Sequence, residues 1–520
     1  MHLSHRALLG SSLFLGAALA LAAPARAAPA AACGTQRLSS VDELVQCIRR
    51  PLLMDDLRTL QQISDDHPGS DGHGNRDTGT AGYQASVDYV VGRMKQAGYA
   101  VTIQSYPYWI FQLDGARLAS AGHAYALGTD WHVARLSGSG KVDAEVQPVG
   151  AATLRGCAPA DFAGFAAGRV ALVERGGCEL DDKVRNAEAA HAAALIVYND
   201  ADGQALPHVK GQGAPGAAFE ARLQREAAIP VVGVASNALG LELQKPGPAG
   251  QAARVALEIH ALTSSGTDFN VIADSPYGDA NSLVVVEGHL DAIFGAGILD
   301  NGTGSATILE IALAMAGTPT LHRLRYVWFG GEELGLLGSA YYTQHLSKVE
   351  LAKIAFDIDA DVTGTPNWAV LVADPGHAHN AFRFPPNVVP ESRRGNKYFA
   401  DYFASVGMPS KLASFGNDGT DSNSFSLVGI PNTGVLTEQD CCKSKAQVRL
   451  WGGYTGNYEG KVPGHDGGCV DRANRWCDNI DNVDPDLLEL VSRSVAYVAW
   501  QLGNDPGIGG QQRAGSPGRP

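Results

Sequence analysis

The chain has 520 residues, of which 45% are apolar and 18% are charged, and its formal net charge at pH 7 is −14. This length is enough for a large buried core and too long for a single ordinary domain. The excess of acidic residues argues against nucleic acid or an anionic membrane as a partner.

The first residues have the pattern of a secretory signal peptide. His5 and Arg6 precede a mostly apolar run from Ala7 to Ala23, and the small-x-small sequence Ala25-Arg26-Ala27 follows. Such leaders are removed on export, so we expect residues 1–27 to be cleaved and the mature protein to be secreted or periplasmic. An uncleaved anchor is the alternative, but the run is too short for a good membrane-spanning helix. We therefore expect no membrane contact after cleavage, and a monomer.

All eight cysteines lie beyond this leader. An even number of cysteines in an exported protein suggests disulfides. A zinc–thiolate site is disfavoured because the sequence has no C-x-x-C pair. Adjacent Cα atoms are too close for an unstrained bridge, so we expect Cys441 and Cys442 each to pair elsewhere. The full set is Cys33, Cys47, Cys157, Cys178, Cys441, Cys442, Cys469 and Cys477.

Residues 34–135 read as the N-terminal part of an α/β domain. An amphipathic helix is predicted by apolar residues at i, i+3, i+4 and i+7, namely Val87, Val90, Val91 and Met94. Gly98 ends this helix, and the alternation from Tyr99 to Tyr106 predicts a strand.

Residues 140–262 have a different texture, with short apolar runs separated by Gly- and Ala-rich turns. Residues 168–178, which read GRVALVERGGC, resemble the signature strand and turn of the protease-associated domain, and residues 183–199 resemble the helix and strand that follow it. The resemblance implies an inserted, β-rich α/β domain that shapes or covers a neighbouring active site. It also implies a disulfide between Cys157 and Cys178.

Strands and helices alternate again from residue 269 to 501, the predicted main part of the first domain. Val284–Val286 and Arg325–Phe329 have the composition of strands, and the intervening helix from Ser305 to Met315 is apolar nearly all round. This alternation predicts a mostly parallel central sheet with helices on both faces. From residue 503 to 520, Gly, Pro, Gln and Arg dominate, which predicts a disordered tail.

Chemically active residues follow these predicted strands, at the edge where ligands bind in open α/β sheets. His289 and Asp291 come directly after an apolar strand, and the carboxylate can hold the imidazole in the metal-binding tautomer. Asp300 lies in a glycine-rich stretch before the buried helix. An acid there fits either a helix cap or an ion that the backbone approaches closely.

Two further acidic groups follow later strands. Glu332 and Glu333 are adjacent, so one can bind a metal while the other acts as a base, although acids are also common at helix starts. Asp357, Asp359 and Asp361 alternate on one face of a strand that should be central. Because unpaired buried carboxylates are costly, either this strand is an exposed edge or at least one aspartate binds a cation.

Together these groups closely resemble the aminopeptidases of the zinc-dependent clan MH, in particular the secreted bacterial and fungal leucine-aminopeptidase-like enzymes with a protease-associated insertion. The similarity extends from about residue 35 to 500. It implies the zinc-exopeptidase fold, two zinc ions per chain, and hydrolysis of the N-terminal peptide bond of peptides by a metal-bridging hydroxide. Glu332 corresponds to the general base of the family and Asp291 to the residue that orients the histidine.

The resemblance also implies a ligand set, in which Asp300 bridges the two ions and precedes a cis peptide bond to Asn301. Asp361 is preferred to Asp359 as a ligand because Gly364-Thr365-Pro366-Asn367 matches the sequence that follows the family ligand. The implied metal ligands are His289, Asp300, Glu333, Asp361 and a fifth residue.

The fifth ligand departs from the family pattern. The family has a histidine four residues before the aspartate that corresponds to Asp478, and this chain has Asn474 there. Either His465 replaces it, or Asn474 binds through its amide oxygen, or one zinc binds poorly. Zinc prefers a histidine nitrogen to an amide oxygen, which favours His465.

Two other kinds of protein fit the same sequence. Asn474 keeps open a non-catalytic receptor or binding protein on this scaffold, since a fold does not determine a function. A carboxypeptidase or a glutaminyl cyclase of the same clan is the other alternative. Zinc content and the requirement for a free amino terminus distinguish these from an aminopeptidase.

Overall fold

Strands and helices alternate along most of the chain. The computed structural model describes residues 33–34, 36–69, 72–150, 155–199, 218, 221, 223, 225–246, 250–377, 384–413, 419–439, 441–460 and 477–509. The helices in this part are α1 Val41–Cys47, α2 Arg50–Asp66, α3 Ala81–Gln96, α4 Leu180–Ala189, α5 Asn237–Leu243, α6 Thr303–Met315, α7 Leu337–His345, α8 Lys348–Lys353, α9 Val388–Ser405, α10 Ser422–Leu427, α11 Lys445–Trp451 and α12 Pro485–Gly503. The strands are β1 Ala100–Ser120, β2 His123–Tyr125, β3 Gly140–Pro148, β4 Val170–Glu174, β5 Ala194–Tyr198, β6 Val231–Ala235, β7 Arg254–Asp274, β8 Asp279–His289, β9 His322–Phe329, β10 Ile354–Ala360, β11 Leu371–Ala373, β12 Lys411–Ala413 and β13 Asn432–Leu436.

These strands form one continuous sheet in the order β12-β11-β13-β10-β8-β9-β7-β3-β4-β5-β6, with β1 paired to β7 and β2. The neighbours β13, β10, β8 and β9 are parallel to one another. A second parallel group is formed by β3, β4, β5 and β6. The predicted mixed α/β architecture with a mostly parallel central sheet is therefore confirmed.

The central strands are buried on both faces, which explains their nearly continuous apolar sequences. Val284 and Val286 of β8 pack in a large core with residues of α2, α3, α6, α9 and α12. Val285 points to the other face and packs with Tyr342 of α7 and Phe425 of α10. Because successive side chains of a strand alternate between the two faces, one short apolar run supplies both cores.

A long two-stranded ribbon joins the two parallel groups. β1 and β7 each have 21 residues and run antiparallel, from the pair Ala100–Asp274 to the pair Ser120–Val255. The C-terminal end of β7 pairs with β9, and its N-terminal end pairs with β3. The predicted boundary between 262 and 269 therefore falls inside a continuous strand. The predicted strand at Tyr99–Tyr106 is the start of β1, which extends much further than its alternating stretch.

The helix predicted from the valine stripe is α3. Thr80 caps it, since its side chain accepts a hydrogen bond from the backbone N–H of Tyr83. The C-terminal region differs from prediction, because the stretch that begins at residue 503 packs on the domain as far as residue 509. Gly503 is the last residue of α12, and Ile508 is 5% exposed within the large core. Residues 510–520 and the predicted leader lie outside the described residues.

Disulfides join Cys33 to Cys47 and Cys157 to Cys178, the second as the resemblance implies. The prediction that Cys441 and Cys442 pair elsewhere is wrong, because these two residues are bonded to each other. The peptide bond between them is cis, and the argument from Cα spacing took no account of this backbone geometry. Among the described residues, no helix has the length and apolar character needed to span a bilayer.

Candidate metal centre

The predicted site residues lie at one edge of the central sheet. His289 is the last residue of β8, Glu332 and Glu333 follow β9, and Asp361 follows β10 directly. Since these three strands are parallel neighbours, their carboxyl ends meet at the same edge, where ligands bind in open α/β sheets. Asp300 joins them from the turn Ile298–Gly302 that leads into α6.

Nε2 of His289 is the centre of this group. It lies 3.0 Å from Oδ1 of Asp300 and 3.4 Å from Oδ1 of Asp361. Glu332 and Glu333 approach the same histidine, with ligand atoms that lie within 4.8 Å of one another. Two sets of potential metal ligands therefore share His289, one with the two aspartates and one with the two glutamates.

Asp291 connects the histidine to the glutamate loop. Nδ1 of His289 lies 3.0 Å from the backbone carbonyl oxygen of Asp291 and 3.5 Å from its Oδ1 atom. The Asp291 carboxylate also accepts hydrogen bonds from the backbone N–H groups of Glu332 at 3.2 Å and Glu333 at 3.4 Å. Oγ1 of Thr78 donates to Oδ2 of the same carboxylate at 2.9 Å. Asp291 thus contacts both the His289 ring and the backbone of the two glutamates.

The turn that carries Asp300 is held from two sides. The Asp300–Asn301 peptide bond is cis, as the resemblance implies. The Asn301 side chain donates to the carbonyl oxygen of Ala360 at 2.9 Å and accepts from the backbone N–H of Val362 at 3.1 Å, on either side of Asp361. Asp478 accepts from the backbone N–H of Asp300 at 3.3 Å. These contacts hold Asp300 and Asp361 in a fixed relation to each other.

Val362 has a backbone conformation that β-branched residues rarely adopt. Its φ angle is +49°, in the left-handed region. Its carbonyl oxygen accepts hydrogen bonds from both the backbone N–H of Thr437, at 2.8 Å, and the Thr437 hydroxyl, at 2.5 Å. Backbone strain of this kind persists where the surroundings overdetermine it, commonly at functional sites. Here it directs the chain immediately after Asp361.

The electrostatics of the group are those of crowded acids around one imidazole. Burial raises the pKa values of Glu332 and Glu333 well above the ordinary range, and neighbouring carboxylates raise them further. Burial also raises the pKa of Asp300. Burial opposes the charged form of His289, but Asp361, Asp291 and Asp300 outweigh it and raise the pKa of His289 well above its usual value. So many negative groups in one place favour a bound cation.

The residues present fit a divalent metal. Oδ1 of Asp361 and Oε1 of Glu333 are buried without a hydrogen-bond partner in the described structure. Buried polar atoms normally have a hydrogen-bond partner, and a buried oxygen without one indicates a bound ion or water. An imidazole nitrogen combined with carboxylate oxygens is the donor set of catalytic zinc sites. Glu332, Glu333 and Asp361 are partly exposed, whereas His289 is 1% exposed, so a substrate can approach from the carboxylate side.

The other two aspartates of β10 do not join the His289 group. Asp357 and Asp359 are fully buried, and the strand is central rather than an exposed edge. Glu287 of β8 stands opposite Asp359, and Asp421 adds a fourth buried acid. Burial raises the pKa values of Glu287, Asp357 and Asp359 well above their usual range, with further increases from the neighbouring acids. These conditions favour their protonated, uncharged forms.

Two candidates for the fifth ligand, His465 and Asn474, lie in residues 461–476, outside the described residues. Three residues that contact this site were not singled out as functional from the sequence: Arg76, Thr78 and Asp478. Thr78 and Arg76 lie just before the loop 79–83 whose capping character is visible in the sequence. Asp478 is the residue from which the position of the fifth ligand was counted in the sequence. Its place in that family pattern was the signal that could have identified it.

Comparison with protein families gives two matches. The family described as "Peptidase family M28" matches residues 270–499, which include every predicted site residue from His289 to His465. The family described as "PA domain" matches residues 142–243. The first match begins near the end of β7, and the second ends at the last residue of α5.

Similar proteins cover most of the chain. An aminopeptidase of Pseudomonas aeruginosa is 31% identical over 479 residues, which are 88% of this chain and 82% of that protein. A probable leucine aminopeptidase 2 of Aspergillus oryzae is 30% identical over 476 residues, or 90% of this chain and 87% of its own. Among solved structures, an aminopeptidase from Aneurinibacillus sp. strain AM-1 has a TM-score of 0.57 at 22% identity, covering 89% of this chain and 96% of that one. At that identity, the structural likeness concerns the fold.

Proposed function

The chain belongs to peptidase family M28 and carries an inserted PA domain, and we propose that it is a secreted zinc aminopeptidase that hydrolyses the N-terminal peptide bond of peptides. The observation that carries this proposal is the grouping of two aspartates and two glutamates around His289. Fold membership alone would leave a non-catalytic relative possible. The aminopeptidases of P. aeruginosa and A. oryzae support the choice of activity.

We assign two zinc ions to this group. His289 and Asp361 would hold one ion, Glu333 and the fifth ligand would hold the other, and Asp300 would bridge them. The three carboxylates carry three negative charges, which offset most of the charge of two divalent ions. The fifth ligand comes from residues 461–476, where His465 is favoured over Asn474 because zinc prefers imidazole nitrogen.

The protein groups then divide the work. Bound zinc lowers the pKa of water in the site and polarises the scissile carbonyl group. Glu332 accepts a proton from the attacking water and returns it to the leaving amine. Asp291 keeps both the Glu332 loop and the His289 ring in position through the contacts described above.

Export and substrate class complete the proposal. The leader predicted at residues 1–27 would direct the chain out of the cytoplasm. Disulfides such as Cys157–Cys178 form and persist in the oxidising compartments outside it. A monomer with no membrane or nucleic-acid partner stays the expectation from the sequence. The substrate is a peptide with a free amino terminus.

The test uses the purified mature protein. We expect elemental analysis to find about two zinc ions per chain, from the number of ligand sets. Leucine 4-nitroanilide should be cleaved and N-acetyl-leucine 4-nitroanilide should not. Removal of the metal with a chelator should abolish cleavage, and added zinc should restore it.

Other outcomes point to the alternatives. Absence of zinc together with absence of cleavage would indicate a binding protein on the same scaffold. Cleavage of acetylated peptides from the carboxyl end would indicate a carboxypeptidase. Loss of ammonia from an N-terminal glutamine peptide would indicate a glutaminyl cyclase. Each of these results contradicts the proposed function.

A further inference from the structure

The loop before α3 contacts the candidate metal centre, although it lies more than 200 positions earlier in the sequence. Arg76 is fully buried, and Thr78 is 4% exposed. Their side-chain hydrogen bonds go to backbone carbonyl groups, to Ser86 and to Asp291, none of which is an assigned metal ligand. Both bond to the segment between residues 290 and 297, which separates the candidate ligands His289 and Asp300 in the sequence.

The Arg76 guanidinium joins the two ends of that segment. Its Nη1 donates to the carbonyl oxygen of Leu290 at 2.8 Å, directly after His289. Its Nη2 donates to the carbonyl oxygen of Gly297 at 2.7 Å, and its Nε donates to that of Ala296 at 2.6 Å. The planar arrangement of the N–H groups of arginine allows one side chain to serve all three carbonyl groups at once.

The backbone strengthens this connection. The Arg76 N–H donates to the carbonyl oxygen of Gly295 at 2.9 Å. The Gly297 carbonyl oxygen, which receives Nη2, also accepts from the backbone N–H of Gly302 at 3.0 Å. That second bond spans the turn that contains Asp300. A shift of Arg76 would therefore move the end of β8 and the Asp300 turn relative to each other.

Arg76 also brings a positive charge near the acids. Its side-chain hydrogen bonds go to neutral oxygens, three carbonyl groups and the Ser86 hydroxyl. Burial lowers the pKa of Arg76 to about 10, and Asp478, Asp291 and Asp77 oppose that change. The side chain stays charged at neutral pH. A buried charge is costly unless it is hydrogen-bonded. The oxygen atoms that accept hydrogen bonds from Arg76 are therefore held in place around its guanidinium group.

We propose that Arg76 and Thr78 form a brace that sets the spacing between His289 and Asp300 and the orientation of Asp291, and so positions the zinc ligands and the Glu332 loop. Arg76 acts on the two ends of the 290–297 segment, and Thr78 acts on Asp291 directly. Both are positioning residues, since they act through the backbone of the 290–297 segment and through Asp291. This inference rests on the proposed zinc aminopeptidase function.

The experiment compares the full-length mature protein with Arg76→Lys, Thr78→Val and Thr78→Ser. Arg76→Lys keeps the charge but cannot reach three carbonyl groups, and Thr78→Val keeps the shape without the hydroxyl. Zinc release into a chromogenic chelator is followed together with kcat and KM on leucine 4-nitroanilide. Mutation of residues that orient metal ligands typically costs 10–100-fold, so we expect Arg76→Lys and Thr78→Val to release zinc about 10–100-fold faster. We also expect kcat to fall while KM changes by less than about twofold.

Matched variants separate positioning from a general effect on stability. Thr78→Ser restores the hydroxyl and should retain zinc as the wild type does. Arg325 is a partly buried arginine outside the site that pairs with Asp274 and Tyr342, so Arg325→Lys should lower the melting temperature without changing zinc release. If Arg76→Lys does not fold, the comparison of Thr78→Val with Thr78→Ser decides the question.

Two results would overturn the inference in different ways. The folded brace variants could release zinc and turn over substrate within about twofold of wild type, which is less than the expected change. That result would mean that the brace only stabilises the fold. A wild-type protein that binds no zinc and cleaves no aminoacyl anilide would remove the proposed function, and the brace with it. The wild-type measurement therefore distinguishes the two failures.

Discussion

The backbone N–H of Glu332 donates a hydrogen bond to Oδ1 of Asp291 at 3.2 Å. The same aspartate contacts Nδ1 of His289 through its backbone carbonyl oxygen at 3.0 Å and its Oδ1 atom at 3.5 Å. A histidine that binds metal through one ring nitrogen is commonly held through the other, and here the residue that holds it also supports the loop of the proposed base. The assigned ligand His289 and the loop of the proposed base therefore both contact Asp291.

Asp291→Asn tests the role of these contacts. The amide keeps the volume but replaces an acceptor with a donor, which faces the N–H groups of Glu332 and Glu333 unfavourably. We expect zinc affinity to fall by about 10–100-fold and turnover to fall further, because the base also moves. Zinc competition and kcat measure the two effects separately. Asp130, which accepts from the backbone N–H of Ala126 at 2.7 Å far from the site, supplies the control Asp130→Asn. Equal behaviour of the two variants would contradict the role of Asp291.

Glu332→Gln tests the assignment of the base. Glutamine cannot accept the proton, while the metal ligands assigned to His289, Asp300, Glu333 and Asp361 stay intact. General acid–base groups contribute about 10²–10⁴-fold to rate, so we expect kcat to fall by that factor and the zinc content to remain unchanged. Glu310→Gln is the matched control, since Glu310 is a buried acid of α6 outside the site. Near-normal turnover in Glu332→Gln would exclude Glu332 as the base.

The location of the site was predictable because parallel strands bring distant residues to one edge. His289 and Glu333 lie at the ends of strands that the apolar pattern identifies, and Asp361 lies at the end of the strand marked by alternating aspartates, so their proximity follows from the topology. The choice between Asp359 and Asp361 was a different matter, because alternation places both on the same face. The structure shows Asp361 beyond the strand end and Asp359 buried within it.

The supporting contacts could not be predicted in the same way. Thr78 and Asp291 are 213 positions apart in the sequence, and neither their residue types nor local periodicity indicates that they meet. The cis bond between Cys441 and Cys442 is likewise invisible in the residue pattern, and the bond between these two residues was therefore not predicted. β1 continues to Ser120 because it pairs with β7 along its whole length, although much of it is exposed and lacks the alternation that marks a half-buried strand.

Glu310 gives a pH-dependent prediction away from the metal centre. Burial, with Asp56 nearby, raises the pKa of Glu310 to about 7, so the folded protein keeps a proton that the unfolded chain releases above its ordinary pKa. This contribution to stability is present below pH 4.5 and is lost as the pH rises through 7. Glu310→Gln does not titrate and keeps an oxygen for Arg93, which donates to Glu310 Oε1 at 3.1 Å.

We therefore expect Glu310→Gln to gain stability relative to wild type between pH 5 and pH 8, by an amount on the order of 1–3 kcal/mol. Urea unfolding at several pH values, with zinc saturating in every sample, measures the difference. A difference that stays constant across this range would show that Glu310 does not titrate there. A gain at pH 5 that disappears at pH 8 would reverse the predicted sign.

The disulfide Cys157–Cys178 gives a prediction about the inserted domain. It closes a loop of 21 residues, and loop-closure entropy assigns about 3 kcal/mol to a loop of that length. Gly156, which precedes Cys157, lies against Val173 and Phe162, and these belong to a core that is separate from the large core behind the metal centre. We expect Cys157→Ser/Cys178→Ser to lower the unfolding temperature of the inserted domain while zinc content and turnover at 25 °C stay unchanged.

The matched comparison is Cys33→Ser/Cys47→Ser. Cys47 ends α1 and is 2% exposed within the large core, so loss of this bridge should destabilise the unit that holds the metal ligands. Its sequence separation is 14, for which the same entropy argument also gives about 3 kcal/mol. Calorimetry with and without zinc distinguishes the two variants. Zinc should raise the temperature of the unfolding transition that the Cys33–Cys47 disulfide affects. If loss of Cys157–Cys178 lowered that zinc-sensitive transition instead, the two cores would unfold as one cooperative unit.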